Sequence, residues 1–392
     1  MNILVINAGS SSLKFQLIEM PLGTVISSGL VERIGLDHTK FHYTIQSEEF
    51  TETVEFANHK EALEAIAQKI LSKSAGRTID TIAHRVVHGG EQFSKTTIIT
   101  TEVKDKIREL CTLAPLHNPA NLACIEVAED VFPKATQVAV FDTAFHQTIP
   151  EKAYRYSIPN EFYTQHQIRQ YGFHGTSHKY VSKKAIAFLG LKHSKIITVH
   201  LGNGCSITAV KDGESIEHSM GYGPTNGLIM GTRSGDVDQA IIFYLMDTLN
   251  YSSSQVQDLL QKESGLKGLT GFSDLRDIQN EAQKGNKECL LALQMMAYRV
   301  QKFIGSYIAA LNGLDALVFT AGIGENSDVM RSLICQHMDY FGIQLDEDKN
   351  MMRSKAIRSI SLEGSKVPIL VIPTNEEFEM AEQAYGLLVG EN

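Results

Sequence analysis

The chain has 392 residues, of which 43% are hydrophobic and 21% are charged, an ordinary balance for a folded globular protein. Its net charge of −9 argues against a general nucleic-acid binder, which needs a basic surface, although a local site can still attract anions. A chain of this length predicts two domains, because one domain usually holds about 100–200 residues.

Five cysteines are scattered along the chain: Cys111, Cys124, Cys205, Cys289 and Cys335. Their odd number and the lack of a CxxC pair indicate neither a disulfide framework nor a cysteine zinc site. The N-terminus has no basic segment before an apolar stretch, and Asn7 interrupts its first apolar run. We therefore predict no signal peptide, no transmembrane span and no membrane partner, with the cytoplasm as the location.

The first half alternates strands with helices. The opening MNILVINAGSSSLKFQLIE predicts two strands over roughly 2–19, joined by a turn rich in glycine and serine. Further strands are predicted near 24–34, 41–56, 79–87 and 138–141. One face of a helix predicted over 60–72 carries Ala62, Leu63, Ile66, Ala67 and Ile70. This alternation predicts an α/β protein.

Weak periodicity and two prolines over 148–172 predict a first domain boundary at about 146–150. Further on, 287–311 predicts a long helix with apolar residues around most of its circumference. Such a helix is expected to be buried or covered by another subunit.

The last predicted helix follows Pro373. Thr374 and Glu377 fit a capping box of the form T-x-x-E at its start. That assignment leaves Glu376 free to face a cleft or a metal ion. Asp274 shows a similar helix-start pattern in SDLR.

An internal repeat connects the two halves. Residues 197–210 (ITVHLGNGCSITAV) share the layout of the opening stretch: an apolar strand, a polar glycine-rich turn and a second apolar strand. Residues 140–145 (VFDTAF) likewise resemble 318–323 (VFTAGI). A duplicated domain would leave this pattern, with one glycine-rich hairpin and one strand ending in a loop in each half.

Three glycine-rich turns are candidate phosphate sites: 7–12, 200–206 and 320–326. Glycine lets backbone N–H groups approach a ligand and point the same way, and Lys14 adds charge near the first turn. Any one turn alone is better explained as a hairpin connector, whereas three such turns at corresponding places in two halves favour a ligand role. None matches GxxxxGK[ST] or GxGxxG, which excludes the familiar P-loop and gives no support for a dinucleotide site.

Two arginines and one aspartate stand at predicted strand or loop ends. Arg85 and Arg233 both lie near glycine-rich turns, and their planar guanidinium groups suit carboxylate or phosphate oxygens; a structural salt bridge is the alternative. Asp142 ends a predicted buried strand, where carboxylates often face a ligand crevice, although a helix N-cap is equally compatible.

The histidines are less specific. His174 and His178 are spaced like metal ligands on a helix, but no glutamate lies between them and the flanking glycines weaken a helix there. A hydrogen bond from His174 to a substrate oxygen is the favoured interpretation. His117 either lines a pocket or is structural, and His200 adjoins the second glycine-rich turn.

Nine segments, in order along the chain, together resemble the acetate kinase family. They are 7–14 (NAGSSSLK), 84–90 (HRVVHGG), 113–119 (LAPLHNP), 140–146 (VFDTAFH), 171–178 (YGFHGTSH), 200–204 (HLGNG), 230–236 (MGTRSGD), 320–326 (TAGIGEN) and 373–377 (PTNEE). Each segment alone is a weak signal, whereas nine in family order over nearly the whole chain are highly specific.

The resemblance implies the fold of sugar kinases, heat-shock chaperones and actin, with two related α/β domains and an interdomain nucleotide cleft. We expect an N-terminal domain over 1–148 plus 377–392, and a C-terminal nucleotide-binding and dimerisation domain over 149–376. The resemblance also implies a homodimer formed mainly through the second domain. This agrees with the long apolar helix predicted over 287–311.

The implied reaction is reversible phosphoryl transfer from ATP to acetate, giving acetyl phosphate and ADP. The implied catalytic residues are Arg85, Asp142, His174 and Arg233. Mg²⁺, with Mn²⁺ as an alternative, would be positioned by Asn7 and Glu376. The implied acetate-binding residues are Arg85, Val87, Leu116, His117 and Pro224. Those for ATP are Ser10, Ser12, Lys14, His200, Leu201, Gly202, Asn203, Gly204, Asp274, Leu275, Arg276, Gly322, Ile323, Gly324, Glu325 and Asn326.

Two other functions remain compatible with the sequence. A propionate kinase, or a kinase with broad specificity for short-chain carboxylates, shares these motifs, since one methylene discriminates by only about 1–3 kcal/mol. A nucleotide-driven binding module would share the fold but would need no small-acid site, and the contexts of Arg85, Arg233 and His174 argue against it.

Overall fold

The computed structural model of the chain describes residues 1–9, 11–45, 48–73, 78–115 and 117–390. Their contacts separate a first unit, Met1–Phe145 with Asn375–Asn392, from a second unit, His146–Thr374. The domain bounds expected from the sequence stay predictions. Over the described ranges, no helix is both long enough and apolar enough to cross a bilayer.

The secondary structure follows the predicted alternation. The strands are β1 (Asn2–Ala8), β2 (Ser12–Glu19), β3 (Thr24–Glu32), β4 (Thr39–Ile45), β5 (Glu48–Val54), β6 (Thr81–Val86), β7 (Thr97–Ile98), β8 (Thr136–Phe141), β9 (Lys195–Leu201), β10 (Cys205–Lys211), β11 (Glu214–His218), β12 (Ala316–Thr320), β13 (Arg358–Ser359) and β14 (Ile369–Val371). The helices are α1 (His59–Lys73), α2 (Thr101–Glu109), α3 (Asn118–Val131), α4 (Glu151–Tyr154), α5 (Asn160–His166), α6 (Gly175–Leu189), α7 (Gln239–Asp247), α8 (Ser253–Lys262), α9 (Gly265–Thr270), α10 (Leu275–Gln283), α11 (Lys287–Leu311), α12 (Ala321–Asn326), α13 (Asp328–Cys335), α14 (Glu347–Met351) and α15 (Glu376–Val389). Short 3₁₀ helices span Leu110–Thr112, Ala144–Thr148 and Asp339–Phe341.

The described strands of the first unit form a mixed sheet in the order β5-β4-β3-β2-β1-β6-β8-β7. Strands β1 to β5 make an antiparallel meander, so the stretch 41–56 contains two strands where one alternating segment was expected. Strand β6 pairs in parallel with β1 on one side and with β8 on the other. The carboxyl ends of β1, β6 and β8 therefore lie side by side.

Both faces of β1 are buried, which explains its uninterrupted apolar sequence. Leu4 and Ile6 pack in one cluster with Leu63 of α1, whereas Ile3 and Val5 pack in another with residues of α15. The predicted apolar face of α1 is confirmed as buried. Each fully buried aliphatic side chain contributes roughly 1.5–3 kcal/mol, so these helices hold the end of β1 in a fixed position.

The second sheet confirms the repeat of the glycine-rich hairpin. Its described strands run β11-β10-β9-β12-β14-β13, and β9, β12 and β14 are parallel neighbours. The first sheet has the same arrangement in β3-β2-β1-β6-β8. The predicted correspondence of 140–145 with 318–323 is wrong, because β12 lies beside β9 as β6 lies beside β1, so that β8 corresponds to β14. Short buried parallel strands have similar apolar sequences, which explains the error.

Helix α11 has the bounds that the sequence predicts. Val300 and Ile304 are fully buried, and the helix packs against β9 and β10. Its N-terminal half leaves other apolar side chains open, with Leu291 56% and Tyr298 65% exposed. This helix therefore has one side in the core of its unit and another apolar side that the second unit does not cover.

The third glycine-rich segment, 320–326, forms the short helix α12 and not the predicted turn. Ala321 begins it with left-handed backbone (φ 66°), and its N–H donates to Glu325 Oε1 at 2.9 Å. Glycine disfavours helix, which is why the sequence predicted a turn. The Glu325 carboxylate satisfies a first-turn N–H group that would otherwise lack a partner.

Candidate active site

Three polar side chains meet where β1, β6 and β8 end. The Arg85 guanidinium donates to Asp142 Oδ2 from Nε at 2.9 Å and from Nη2 at 2.5 Å, and to Asn7 Oδ1 from Nη1 at 3.2 Å. Asp142 is only 2% exposed, so the ion pair is largely removed from water. Parallel pairing aligns the ends of the three strands, which brings these distant residues together.

Carboxylates keep Arg85 charged despite its environment. Burial lowers the pKa of Arg85, but Asp142 and Glu376 more than offset burial, and the pKa is raised. At the start of α15, burial raises the pKa of Glu376, with Arg85 opposing and Asp142 reinforcing the shift. A single guanidinium thus faces at least two carboxylates, a surplus of negative charge that suits a cation.

The start of α15 differs from the predicted capping box. Asn375 caps the helix, and its side chain accepts a first-turn backbone N–H at 3.1 Å. Glu377 instead forms an ion pair with Lys14 Nζ at 2.6 Å. The Thr374 hydroxyl lies 2.9 Å from Ser177 Oγ. The prediction was wrong because Thr374 and Glu377 have partners far away in the sequence.

The other predicted residues of the first unit occupy separate positions. Ser10 and Leu116 lie outside the described residues. Ser12 begins β2, and its carbonyl accepts a hydrogen bond that closes the first glycine-rich turn. Val87 directly follows β6 and is buried, and the partly exposed His117 directly precedes α3.

In the second unit, Arg233 and His174 border the same space beside Gly204. A Cβ atom at Gly204 would lie 3.3 Å from His174 Nε2 and 3.8 Å from Arg233 Nη1. A side chain at this position would crowd both groups, so glycine keeps the His174 ring and the Arg233 guanidinium unobstructed by a β-carbon.

The Arg233 guanidinium has no acidic partner among the described residues of its unit. Its Nη1 donates to the carbonyl of Pro224 at 2.8 Å. Burial lowers the pKa of Arg233, but an arginine keeps its proton near neutral pH. Its positive charge is thus partly shielded from water and not neutralised within the second unit, as an anion site requires.

His174 belongs to a group of five histidines with His146, His178, His200 and His218. His174 has left-handed backbone (φ 56°) immediately before α6, and its ring stacks on His200 with centroids 4.3 Å apart. His200 Nδ1 lies 2.9 Å from Ser177 Oγ. Burial and neighbouring histidines hold the pKa of His178 and of His218 well below the ordinary range, so both rings are neutral near pH 7.

A cavity of about 700 Å³ lies within the second unit. Its lining consists of Gly202, Asn203, Gly231, Leu266, Ser273, Asp274, Leu275, Arg276, Gln279, Gly322, Ile323, Asn326, Ser327, Asp328 and Arg353. Asp274 caps α10, and its hydrogen bonds with Arg276 lower the Asp274 pKa to about 2. This volume and mixed lining suit a ligand of nucleoside size.

Eight predicted ATP-binding residues lie in this lining, from the turn after β9, the start of α10 and α12. His200, Leu201, Gly204, Gly324 and Glu325 do not. Leu201 is fully buried in β9, and Glu325 accepts the N–H groups of Ala321 and Thr374 at 2.9 and 3.0 Å. The Glu325 side chain therefore has a structural role inside the second unit.

Sequence reasoning did not single out seven lining residues: Gly231, Leu266, Ser273, Gln279, Ser327, Asp328 and Arg353. The sequence offered a reason to predict two of them, because Gly231 lies in MGTRSGD and Ser273 adjoins Asp274. Gln279 follows Leu275 by four residues on α10 and was predictable from helix geometry. The position of Arg353 depends on the chain path after α14, for which the sequence has no local signal.

The two sheets share one strand order, and the second unit holds a glycine-lined cavity. These features define the class: the chain has the two-domain α/β fold found in sugar kinases, heat-shock chaperones and actin. The acetokinase family model matches residues 2–382. The chain belongs to the acetokinase family.

The similarity extends over whole chains. An acetate kinase of Flavobacterium johnsoniae is 58% identical, with 99% of this chain and 100% of the relative covered. The crystal structure of Porphyromonas gingivalis acetate kinase is 43% identical with a TM-score of 0.92, covering 99% of both chains. A propionate kinase of Francisella tularensis is 42% identical with a TM-score of 0.93, covering 97% of this chain and 98% of that one.

Proposed function

We propose that the chain catalyses reversible phosphoryl transfer between ATP and acetate, giving acetyl phosphate and ADP. The observation that carries this proposal is Arg233, a partly buried cation beside Gly204 and His174, with no acidic partner among the described residues of its unit. Phosphoryl oxygens suit such a guanidinium. Family membership and relatives named acetate kinase support the choice of substrate.

The reaction depends more on neutralising the negative charges of acetate and phosphate than on a base that removes a proton. Acetate is ionised at neutral pH, so no proton has to be removed from the nucleophile, but two anions must approach each other. Phosphoryl transfer therefore depends on alignment and on cations at the phosphoryl oxygens. We assign Arg233 to the transferred phosphoryl group and His174 to a hydrogen bond with one of its oxygens.

In the first unit we assign Arg85 to the acetate carboxylate. Asp142 holds this guanidinium through two hydrogen bonds and thus orients it, while its carboxylate also contributes to the surplus of negative charge. Val87, Leu116, His117 and Pro224 are proposed to contact acetate, with the apolar side chains among them taking its methyl group.

We assign the 700 Å³ cavity to the nucleoside of ATP. Its lining by the backbone of Gly202 and Gly322 allows close approach of a ligand. Ser10, Ser12 and Lys14 are proposed to act on the phosphates. The Lys14–Glu377 ion pair would loosen when phosphate competes for the ammonium group. Five predicted ATP-binding residues lie outside this lining, and we propose that they support the residues that line the cavity. They are His200, Leu201, Gly204, Gly324 and Glu325.

The donors near Arg85 fit a magnesium ion, with manganese as an alternative. Asn7 offers an amide oxygen and Glu376 a carboxylate, with Asp142 nearby, and Mg²⁺ prefers such oxygen ligands. Across the described residues, no three His, Cys, Asp or Glu side chains are grouped closely enough to hold a metal ion. The protein would thus supply part of the coordination, with phosphate and water completing it. A bound Mg²⁺ would neutralise phosphate charge.

The substrate is tested by an acyl hydroxamate assay with purified protein, MgATP, hydroxylamine and saturating series of acetate, propionate and butyrate. We expect the highest kcat/KM for acetate, with propionate lower by about tenfold or more, because a poorly accommodated methylene costs about 1–3 kcal/mol.

Preference for propionate would retain the mechanism and overturn the acetate assignment. Protein that binds ATP but forms no acyl hydroxamate with any short acid would contradict kinase activity and support a nucleotide-dependent binding module.

We also propose a homodimer formed through the apolar surface of the second unit. Phe243 and Tyr244 on α7 are 62% and 56% exposed, and Leu291 and Tyr298 on α11 are similarly open. Exposed apolar side chains concentrated on two helices indicate an interaction surface.

The dimer is tested with Leu291→Glu, which introduces a charge into the proposed interface. Light scattering during size exclusion is expected to give twice the chain mass for the wild type and a shift toward the monomer for the variant. Leu36→Glu, at an exposed position of the first unit, is the matched control and is expected to remain dimeric. Two monomeric proteins would contradict the dimer itself.

A cytoplasmic location is proposed from the thiols. All five cysteines are free and four are buried, the usual state of cysteine in a reducing compartment. Expression with a fluorescent tag and cell fractionation would test this location.

A further inference from the structure

We propose that Ser206 and His178 are positioning residues, which determine which ring nitrogen of His174 carries the proton. The proposal concerns a side chain, His174, that the proposed function places at the transferred phosphoryl group, and it rests on that function. Neither Ser206 nor His178 would touch substrate, and both would act through the His174 ring.

The geometry consists of one hydroxyl between two imidazoles. Ser206 is fully buried in β10. Its Oγ lies 2.9 Å from His174 Nδ1 and 2.7 Å from His178 Nε2. The other nitrogen of His178, Nδ1, lies 2.7 Å from Thr198 Oγ1 on the neighbouring strand β9. These distances are all within hydrogen-bond range.

The hydroxyl has a single hydrogen, and this couples the two rings. It donates to one imidazole nitrogen, so the other nitrogen must be protonated and donate to the hydroxyl oxygen. If Ser206 donates to His174 Nδ1, then His178 Nε2 carries hydrogen and Thr198 donates to His178 Nδ1. If Ser206 donates to His178, all three bonds reverse.

The neutral state of His178 limits the alternatives to these two. His178 is fully buried among other histidines, and these surroundings lower its pKa far below neutrality. It therefore carries one hydrogen, on one nitrogen at a time. Each tautomer of His178 corresponds to one orientation of the Ser206 hydroxyl and hence to one role for His174 Nδ1.

The first arrangement suits the proposed chemistry. His174 Nε2 lies beside Gly204, 3.3 Å from where a Cβ would lie, and on the same side as the Arg233 guanidinium. A neutral His174 donates from Nε2 only when its Nδ1 accepts, and Nδ1 accepts only when Ser206 donates to it. We infer that this orientation is the active one, so that the Nε2–H of His174 faces a phosphoryl oxygen. No proton is transferred during the reaction.

The kinetic test is Ser206→Ala, measured alone and in a His174→Gln background. Alone, it is expected to lower kcat roughly 10- to 100-fold, by analogy with the loss seen when a hydrogen-bond partner of a metal-binding histidine is removed, with KM for ATP and acetate nearly unchanged. In the His174→Gln background it is expected to have no further effect, because the ring that it positions is absent.

Ser215→Ala is the matched control. Ser215 is also fully buried, and its Oγ lies 2.9 Å from His146 Nδ1 in the same group of histidines. This change should leave kcat within about twofold of the wild type. An equal loss from both serine variants would mean that any lost hydroxyl loosens the group, and would overturn the specific role of Ser206.

A spectroscopic test observes the protonation of the wild-type ring directly and uses a variant only to assign the signals. Protein labelled with ¹⁵N in histidine distinguishes protonated from unprotonated ring nitrogens, and His174→Gln assigns the signals of His174. We expect hydrogen on Nε2 and none on Nδ1 in the wild type. Hydrogen on Nδ1, in either the neutral or the doubly protonated ring, would overturn the proposal.

The outcomes separate this proposal from the proposed function. If His174→Gln itself retains nearly full kcat, the assignment of His174 to the phosphoryl group is wrong, and the positioning role falls with it. If His174→Gln is strongly impaired but Ser206→Ala is not, His174 keeps its function and only the positioning role is excluded. A similar loss from Ser206→Ala in both backgrounds likewise excludes that role.

Discussion

Replacing Arg233 with alanine is expected to lower kcat by about 10³–10⁵, the contribution of an arginine that neutralises a transferred phosphoryl group. The surroundings of Arg233 explain the expected size of this loss in kcat. Partial burial strengthens the electrostatic effect of the guanidinium, and no carboxylate of the second unit neutralises it. Steady-state kinetics with MgATP and acetate measure the change, and circular dichroism verifies that the variant is folded.

Two further variants make the result specific. Arg233→Lys keeps the charge but loses the planar fork, so an intermediate kcat is expected. Arg155→Ala removes another arginine of the second unit, one that pairs with Glu151 at the surface, and should leave kcat within about twofold. A loss below tenfold for folded Arg233→Ala would refute its role at the phosphoryl group.

The second large effect is expected for Arg85→Ala, which should lower both stability and activity. Arg85→Ala should reduce the free energy of unfolding of the first unit by about 3–5 kcal/mol, because it removes the opposite charge from the buried Asp142 carboxylate. It should also reduce kcat/KM for acetate by more than tenfold, since charge-assisted hydrogen bonds are worth about 1.5–3 kcal/mol. Urea unfolding monitored by hydrogen exchange in β1 and β6, together with kinetics, gives both quantities.

The exposed pair of Lys106 and Glu109 is the control, since Lys106→Ala should cost no more than about 1 kcal/mol. The double variant Arg85→Ala/Asp142→Ala should regain part of the lost stability without regaining activity. If the double variant is as unstable as Arg85→Ala, the loss of the opposite charge beside Asp142 is not the cause.

The sequence predicts those parts of the fold that depend on local periodicity. The hairpins β1–β2 and β9–β10 and the bounds of α11 follow from apolar spacing alone. Arg85 and Asp142 could be named from the sequence as candidate site residues because each stands at or near the end of a buried strand. Parallel strands bring such ends together.

Other features depend on partners that are distant along the chain. Glu325 supports α12 and also accepts from Thr374, and no local pattern indicates a pairing of residues about fifty positions apart. Ser206 lies in the apolar run CSITAV, where a serine looks like an ordinary strand residue. Its proximity to two histidines becomes visible only when β10 and α6 are folded. Tertiary contacts in this way decide the polar details of the site.

In the proposed function, the left-handed backbone at His174 brings turnover and stability into conflict. A residue with a Cβ pays about 1–2 kcal/mol in this conformation, and glycine avoids that cost. Sequences selected only for resistance to heat would therefore replace His174, and only selection for turnover would retain it. If His174 acts on the phosphoryl group as proposed, a more stable protein and a faster enzyme require different amino acids at position 174.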